Sequence, residues 1–269
     1  MSQRESYERF SHLHQRGCFV LANAWDAASA VVLRDAGMLA LGTSSAAIAY
    51  ALGRADGAHA VSLEEAVANG TLLSRASGLP VNGDLEDGFG PSPEDCVATV
   101  EAAIGGGLAG LGIEDTTADP ANPLHDFDAA VARIAAAAKA ARGRIVLTAR
   151  TDLYLHGRPD LDETIRRLTA FADAGADVLY APALPDMASI RAVVAAVAPK
   201  PVNVLIGPFG GFVPLAELEA AGVRRVSLGR ALYANLMGHL GRVAARIAQG
   251  EPGAAPEGRT KLNFNALFG

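Results

Sequence analysis

Three carboxylates fall within four residues in the stretch Asn82-Gly83-Asp84-Leu85-Glu86-Asp87-Gly88-Phe89-Gly90, directly after the apolar run Leu79-Pro80-Val81. Like charges this close repel, and a hard divalent cation that takes oxygen ligands is the simplest way to keep them ionised together. Residues two apart on a strand share a face, so Asp84 and Glu86 are expected to act as a pair while Asp87 points away. A second stretch, Leu111-Gly112-Ile113-Glu114-Asp115, repeats the design with acids at the end of an apolar strand. Acids beside glycine are also ordinary turn residues, and Asp87-Gly88 alone is a common turn dipeptide. Two clusters at equivalent places in a repeating pattern favour a shared site over two unrelated turns.

The elements that position these acids alternate along the whole chain. Strands are expected at 18–22, 38–42, the run leading into Asp84, 109–113, 144–149, 176–181, 201–206 and 223–228. Helices fall between them, with Asp26 as an N-cap, a capping box at Ser62-Leu63-Glu64-Glu65 and Pro93 opening a first turn. The connection 46–60 reads as a long Ala-rich loop carrying Arg54, Asp56 and His59, of the kind that forms a site wall. Eight short strands, each ending in polar residues and followed by a helix, make a (β/α)8 TIM-type barrel whose strand ends build the site. An open doubly wound sheet would carry a glycine fingerprint after its first strand, where this chain has Asn23-Ala24-Trp25-Asp26.

In such a barrel the strand ends bring together Asn23, Trp25 and Asp26; Thr43, Ser44 and Ser45; Asp84 and Glu86; Glu114; Arg150; Pro182; and Asn203. Acids for a cation, an arginine for a carboxylate and a hydroxyl-rich turn for anionic oxygens suit a small acid that chelates a metal. Pro182, Asn203, Leu205 and the segment 209–212 are expected to line the distal pocket with few charges. His125 is the one histidine placed to act as an acid.

Composition bounds the alternatives. Half of the 269 residues are hydrophobic, which fits one large domain, here 1–250, with a tail 251–269. A net charge of −6 without a basic run argues against nucleic acid and anionic membranes as partners. The two cysteines, Cys18 and Cys96, lie too far apart for a disulfide framework or a zinc site. No signal-peptide core and no membrane-length apolar run is present, so a soluble protein of the reducing cytoplasm is expected.

At these residues the chain resembles the isocitrate lyase/phosphoenolpyruvate mutase superfamily, from residue 19 to 232. The resemblance rests on Gly83-Asp84-Leu85-Glu86-Asp87-Gly88-Phe89-Gly90, Gly112-Ile113-Glu114-Asp115, Ala149-Arg150-Thr151-Asp152 and Gly222-Val223-Arg224-Arg225-Val226. It implies Mg²⁺ (or Mn²⁺) at Asp84, with Glu86, Glu114 and Asp56 around it, some through water. It also implies that Thr43, Ser44 and Ser45 hold a substrate carboxylate, and that Arg150, with Glu114, serves the reacting oxygens of a pyruvate-like enolate. Isocitrate and methylisocitrate lyases carry a Lys-Lys-Cys-Gly-His loop where this chain has Thr116-Thr117-Ala118-Asp119-Pro120-Ala121-Asn122, and a glutamate where it has Pro182. Isocitrate cleavage itself is therefore not expected.

The leading expectation is a Mg²⁺-dependent lyase that breaks a C–C bond in a small 2-oxo or 2-hydroxy di- or tricarboxylic acid. The alternatives are P–C chemistry, as a mutase or phosphonate hydrolase, and a catalytically weak 2-oxo-acid-binding protein. The apolar residues Leu262, Phe264, Leu267 and Phe268 of the tail are expected to pack on a neighbouring subunit in a homo-oligomer, a dimer or a tetramer.

Overall fold

The computed structural model describes residues 1–57, 59–206, 213–256, 258 and 262–268; the expected pocket segment 209–212 lies outside these. Helix α1 (Gln3–Leu13) precedes the first strand, β1 (Phe19–Asn23). Then follow α2 (Ala27–Asp35), β2 (Leu41–Gly42), α3 (Ser45–Ala51), α4 (Leu63–Ser77), β3 (Val81–Asp84), α5 (Pro93–Gly105) and β4 (Gly110–Glu114). The second half holds α6 (Phe127–Ala141), β5 (Val146–Arg150), α7 (Leu161–Asp173), β6 (Val178–Tyr180), α8 (Met187–Val197), β7 (Val202–Leu205), α9 (Leu215–Ala220) and β8 (Arg225–Ser227). Helix α10 (Ala231–Ala248), a 3₁₀ turn at Pro252–Ala254 and α11 (Phe264–Phe268) complete the chain. All eight strands are parallel and close into one barrel in sequence order.

The helix starts follow from their caps. The side chains of Ser2, Asp26, Ser44, Ser62, Ser92, Asp126, Asp160 and Asp186 each accept the N–H of the residue three positions on. Ser44 is one of these, and its cap turns part of the expected loop 46–60 into α3: Ser-Ala-Ala-Ile-Ala-Tyr-Ala is rich in alanine, the best helix former. Strand two is shorter than expected, because only Leu41 and Gly42 pair with both neighbours.

Register decides which side chains face the barrel lumen. Paired residues on adjacent strands share a face, and the pairs Asn23↔Gly42, Gly42↔Asn82, Asp84↔Gly112, Gly112↔Thr148, Glu114↔Arg150, Arg150↔Tyr180, Tyr180↔Asn203, Asn203↔Arg225 and Leu21↔Ser227 run round the ring. One face is thus polar or glycine almost throughout. The residues between them, Ala22, Leu41, Val81, Leu111, Ile113, Leu147, Ala149, Leu179, Val202, Val204 and Val226, are apolar and buried. Most pack with helix residues such as Val100, Ile134, Leu168, Phe171, Ile190 and Val193 in the main core, which lies between barrel and helices. Below the lumen, Phe10 of α1 joins Phe19, Leu21, Ala40, Ala109, Val146 and Val178 in an apolar plug. Burial of this wall and plug drives folding, and the lumen above the plug is left for chemistry.

Candidate active site

The lumen opens at the carboxyl end of the strands into a cavity of about 310 Å³. Asn23, Thr43, Ser44, Ser45, Asp56, Asp84, Arg150, Pro182, Asn203 and Leu205 line it. A second chamber of about 290 Å³ shares Ser45, Asp56, Arg150 and Leu155 with the first and adds Glu86, Glu114 and Asp152. The fold therefore brings Asp56, Asp84, Glu86, Glu114 and Arg150 to one place, whereas Asp26, expected beside them, lines neither chamber and caps α2 instead.

Trp25 is not among the lining residues; it packs edge-on against Tyr233, with ring centroids 5.3 Å apart. His125 lies in a neighbouring groove with His59, Asp87 and Asp119, and its buried Nε2 has no partner among the described residues. Pro182, Asn203 and Leu205 do line the pocket, but the expectation of few charges there fails, because Arg225 and Arg230 line the same cavity.

Asp84 ends β3 at the mouth. Its N–H donates to Thr43 Oγ1 at 2.8 Å, and one carboxylate oxygen, Oδ2, accepts the Ser45 N–H and hydroxyl at 2.9 and 3.0 Å. The other, Oδ1, is 3.7 Å from Arg150 Nη1. The Thr43 N–H is spent on Asn82 O at 3.0 Å. The expected carboxylate cradle is thereby narrowed: among the described residues, the Ser44 and Ala46 N–H groups have no protein acceptor.

Glu86 reaches the site by a different route from the one its spacing suggested. The strand stops at Asp84, and Glu86 sits in the turn beyond it with φ of 47°, in the left-handed region. Asp87, expected to point away, lines the same chamber as Glu86 as well as the neighbouring groove; His59 Nε2 lies 2.7 Å from its Oδ1, and its carbonyl accepts from Arg133. Burial, then the nearby Asp84 charge, pushes the Glu86 carboxyl up to about 7. The same two causes raise Asp56, and burial raises Glu114 well above the usual carboxylate range.

Arg150 is held on several sides. Its Nε and Nη2 donate to Asp152 at 2.5 Å, its Nη1 lies 2.9 Å from Glu114 Oε2, and its guanidinium sits 5.4 Å from the Tyr180 ring centroid. Asp152 is in turn set by Asp115, which accepts the Asp152 N–H at 2.9 Å, the Thr151 hydroxyl at 2.6 Å and Arg167 Nη1 at 2.9 Å. Asp115 and Asp152 stood in the sequence motifs without a role in the site, and Arg167 and Tyr180 were missed by sequence reasoning. The alternation in Arg150-Thr151-Asp152 could have disclosed the role of Asp152, since an acid two residues beyond an arginine at a strand end points back to it.

The donor set suits a hard cation. Asp56, Asp84, Glu86 and Glu114 place four carboxylates around Arg150, whose charge is already shared with Asp152. Burial, and second the Asp84 charge, raise Asp56 and Glu86, and a divalent cation beside them would favour their ionised forms. Among the described residues no three Asp, Glu, His or Cys side chains form a closed ligand cluster.

The sequence matches the profile of the phosphoenolpyruvate phosphomutase family over residues 10–248. An oxaloacetate decarboxylase of Bradyrhizobium diazoefficiens is 31% identical, over 72% of this chain and 68% of that one. Among solved structures, a Burkholderia cenocepacia J2315 protein assigned provisionally to the lyase/mutase class is 42% identical, with a TM-score of 0.94 over 99% of this chain and 96% of its own. Oxaloacetate acetylhydrolase in complex with the product oxalate is 26% identical, with a TM-score of 0.88 over 100% and 96%. A polar lumen ringed by acids at the mouth of a closed barrel, and a family profile spanning nearly the whole of it, agree: the chain belongs to the phosphoenolpyruvate phosphomutase family and is an enzyme of the PEP mutase/isocitrate lyase superfamily.

Proposed function

We propose that the protein is a Mg²⁺-dependent lyase that breaks a C–C bond in a small 2-oxo or 2-hydroxy di- or tricarboxylic acid, leaving a pyruvate-like enolate. The observation that carries this is the convergence of Asp84, Glu114 and Arg150 on one lumen face with Asp56 and Glu86 beside them. When bound, Mg²⁺ supplies a Lewis acid for the 2-oxo group. The remaining roles belong to the chain. Ser45 fixes the Asp84 carboxylate so that one oxygen faces outward to a ligand. Asp152 holds Arg150 flat, and the Nη1 end, shared with Glu114, is left to meet oxygen on which negative charge develops. The Ser44 and Ala46 N–H groups are placed for a substrate carboxylate.

The decarboxylase and the acetylhydrolase among the relatives both take oxaloacetate by name, which supports carbon rather than phosphorus chemistry. The test is calorimetry with pyruvate, oxaloacetate and 2-oxoglutarate, with and without Mg²⁺, followed by pyruvate release from a panel of di- and tricarboxylic acids. Metal-dependent binding and turnover of at least one acid is expected. Binding indifferent to the metal, or a preference for an amine or a sugar phosphate, would refute the reading.

A further inference from the structure

Arg225 opens β8 and faces the lumen, where it lines the floor of the same cavity and is only 2% exposed. A buried guanidinium normally has a carboxylate partner, because neutral hydrogen bonds replace its hydration but not its counter-charge. Arg225 has none. Its Nε donates to Asn203 Oδ1 at 2.9 Å, its Nη2 to Thr148 Oγ1 at 2.9 Å, and its Nη1 lies 3.4 Å from His14 Nε2. His14 Nδ1 sits 2.9 Å from Phe10 O and so carries the proton, which leaves Nε2 as an acceptor for Arg225. Burial, and then the Arg225 charge, hold His14 neutral by lowering it to about 3.

Three of the five guanidinium N–H groups are used in this way, all on neutral partners. Two of the Arg225 N–H groups and its charge are thus left without a protein partner among the described residues. The acids of the site all lie above this floor, at the strand ends, and Arg150 is already matched by Asp152 and Glu114.

We infer that Arg225 receives the far carboxylate of a dianionic substrate, which enters with that end pointing down the barrel axis while its 2-oxo or 2-hydroxy acid end stays at Asp84. This rests on the proposed function for the near end only. Arg225 is a specificity residue in this account: a dianion gains the match to its charge and a monoanion does not, and the site favours the dianion by that difference.

Two pairs of stable ligands test it, each differing only in a terminal carboxylate or methyl group: 2-oxoglutarate against 2-oxopentanoate, and malate against 2-hydroxybutanoate. Calorimetry on the whole protein should show the dianion of at least one pair bound roughly tenfold or more tighter. Arg225→Gln should abolish that preference and leave monoanion binding unchanged, Arg225→Lys should keep part of it, and Arg230→Gln, at the mouth, should not alter it. No preference in the wild type, or a preference lost with Arg230 instead, overturns the inference. The wild-type comparison stands even if an Arg225 variant fails to fold. The preference should also persist, at lower affinity, without Mg²⁺. Loss of metal dependence for every ligand would count against the chelating end alone, and loss of the dianion preference against Arg225.

Discussion

At the scale of single residues, the site is a balance of carboxylates that the protein alone leaves uneven. Asp84 is fixed by Ser45 but buries little apolar surface, so Asp84→Ala is expected to abolish the heat of Mg²⁺ binding and metal-dependent turnover. The fold should lose only about 1 kcal/mol, the scale of a hydrogen bond, as read by denaturant unfolding. Glu86 gives a pH signature. Its folded value of about 7 lies above the ordinary 4.5, so the metal-free folded state holds a proton that the unfolded chain releases. Stability of the metal-free protein should therefore fall as pH rises from about 4.5 to 7 and level off above. Glu86→Gln should flatten this slope, and Mg²⁺, which favours the ionised carboxylate, should reduce it. An unchanged slope in the variant would show that other groups carry it.

At the scale of elements, β4 shows how a strand makes room. Gly110 and Gly112 both face the lumen, but a Cβ at Gly110 would stand 2.6 Å from the Phe10 ring and 2.7 Å from Asn82 Oδ1. A Cβ at Gly112 would meet only Gly83 O, at 3.9 Å. Gly110 permits the plug under the barrel, whereas Gly112 opens the cavity. Gly110→Ala should thus cost about 1–3 kcal/mol of stability through overpacking. Gly112→Val should fold normally and lose ligand binding. Thermal unfolding and calorimetry on the two variants separate these outcomes, and equal destabilisation by both would contradict the assignment.

At the scale of the molecule, α10 is the exception to the packing of the barrel. None of its eighteen residues is buried, and Leu236, Met237, Leu240 and Ile247 form an exposed apolar stripe. Beyond it, α11 lies on α2 of its own chain, where Arg34 Nη2 donates to Leu267 O at 3.2 Å, with Phe264 and Phe268 still about half exposed. Surfaces of this kind are normally covered by a partner. A homo-oligomer is expected in light scattering, and truncation after Gly250 should weaken or dissolve it. A monomer indifferent to the truncation would oppose this assembly. Among the described residues no helix is long and apolar enough to cross a membrane.

Local chemistry was enough to reveal the barrel and the position of its acids. Capping residues set the helix starts, short strands ended in polar residues, and Asp84, Glu114 and Arg150 stood at those ends because a parallel barrel must present its loops there. Side-chain facing and pairing depended on what lies across the ring, which no spacing along the chain records. Glu86 came to the site through a left-handed turn, Trp25 went to Tyr233, and Ser45 gave its N–H to Asp84. Arg225 and Thr148 read as strand residues until the register turned both inward and left a guanidinium without a carboxylate. Sequence determines which residues end a strand; closure of the barrel decides which of them share a lumen, because burial and charge are properties of the assembled ring.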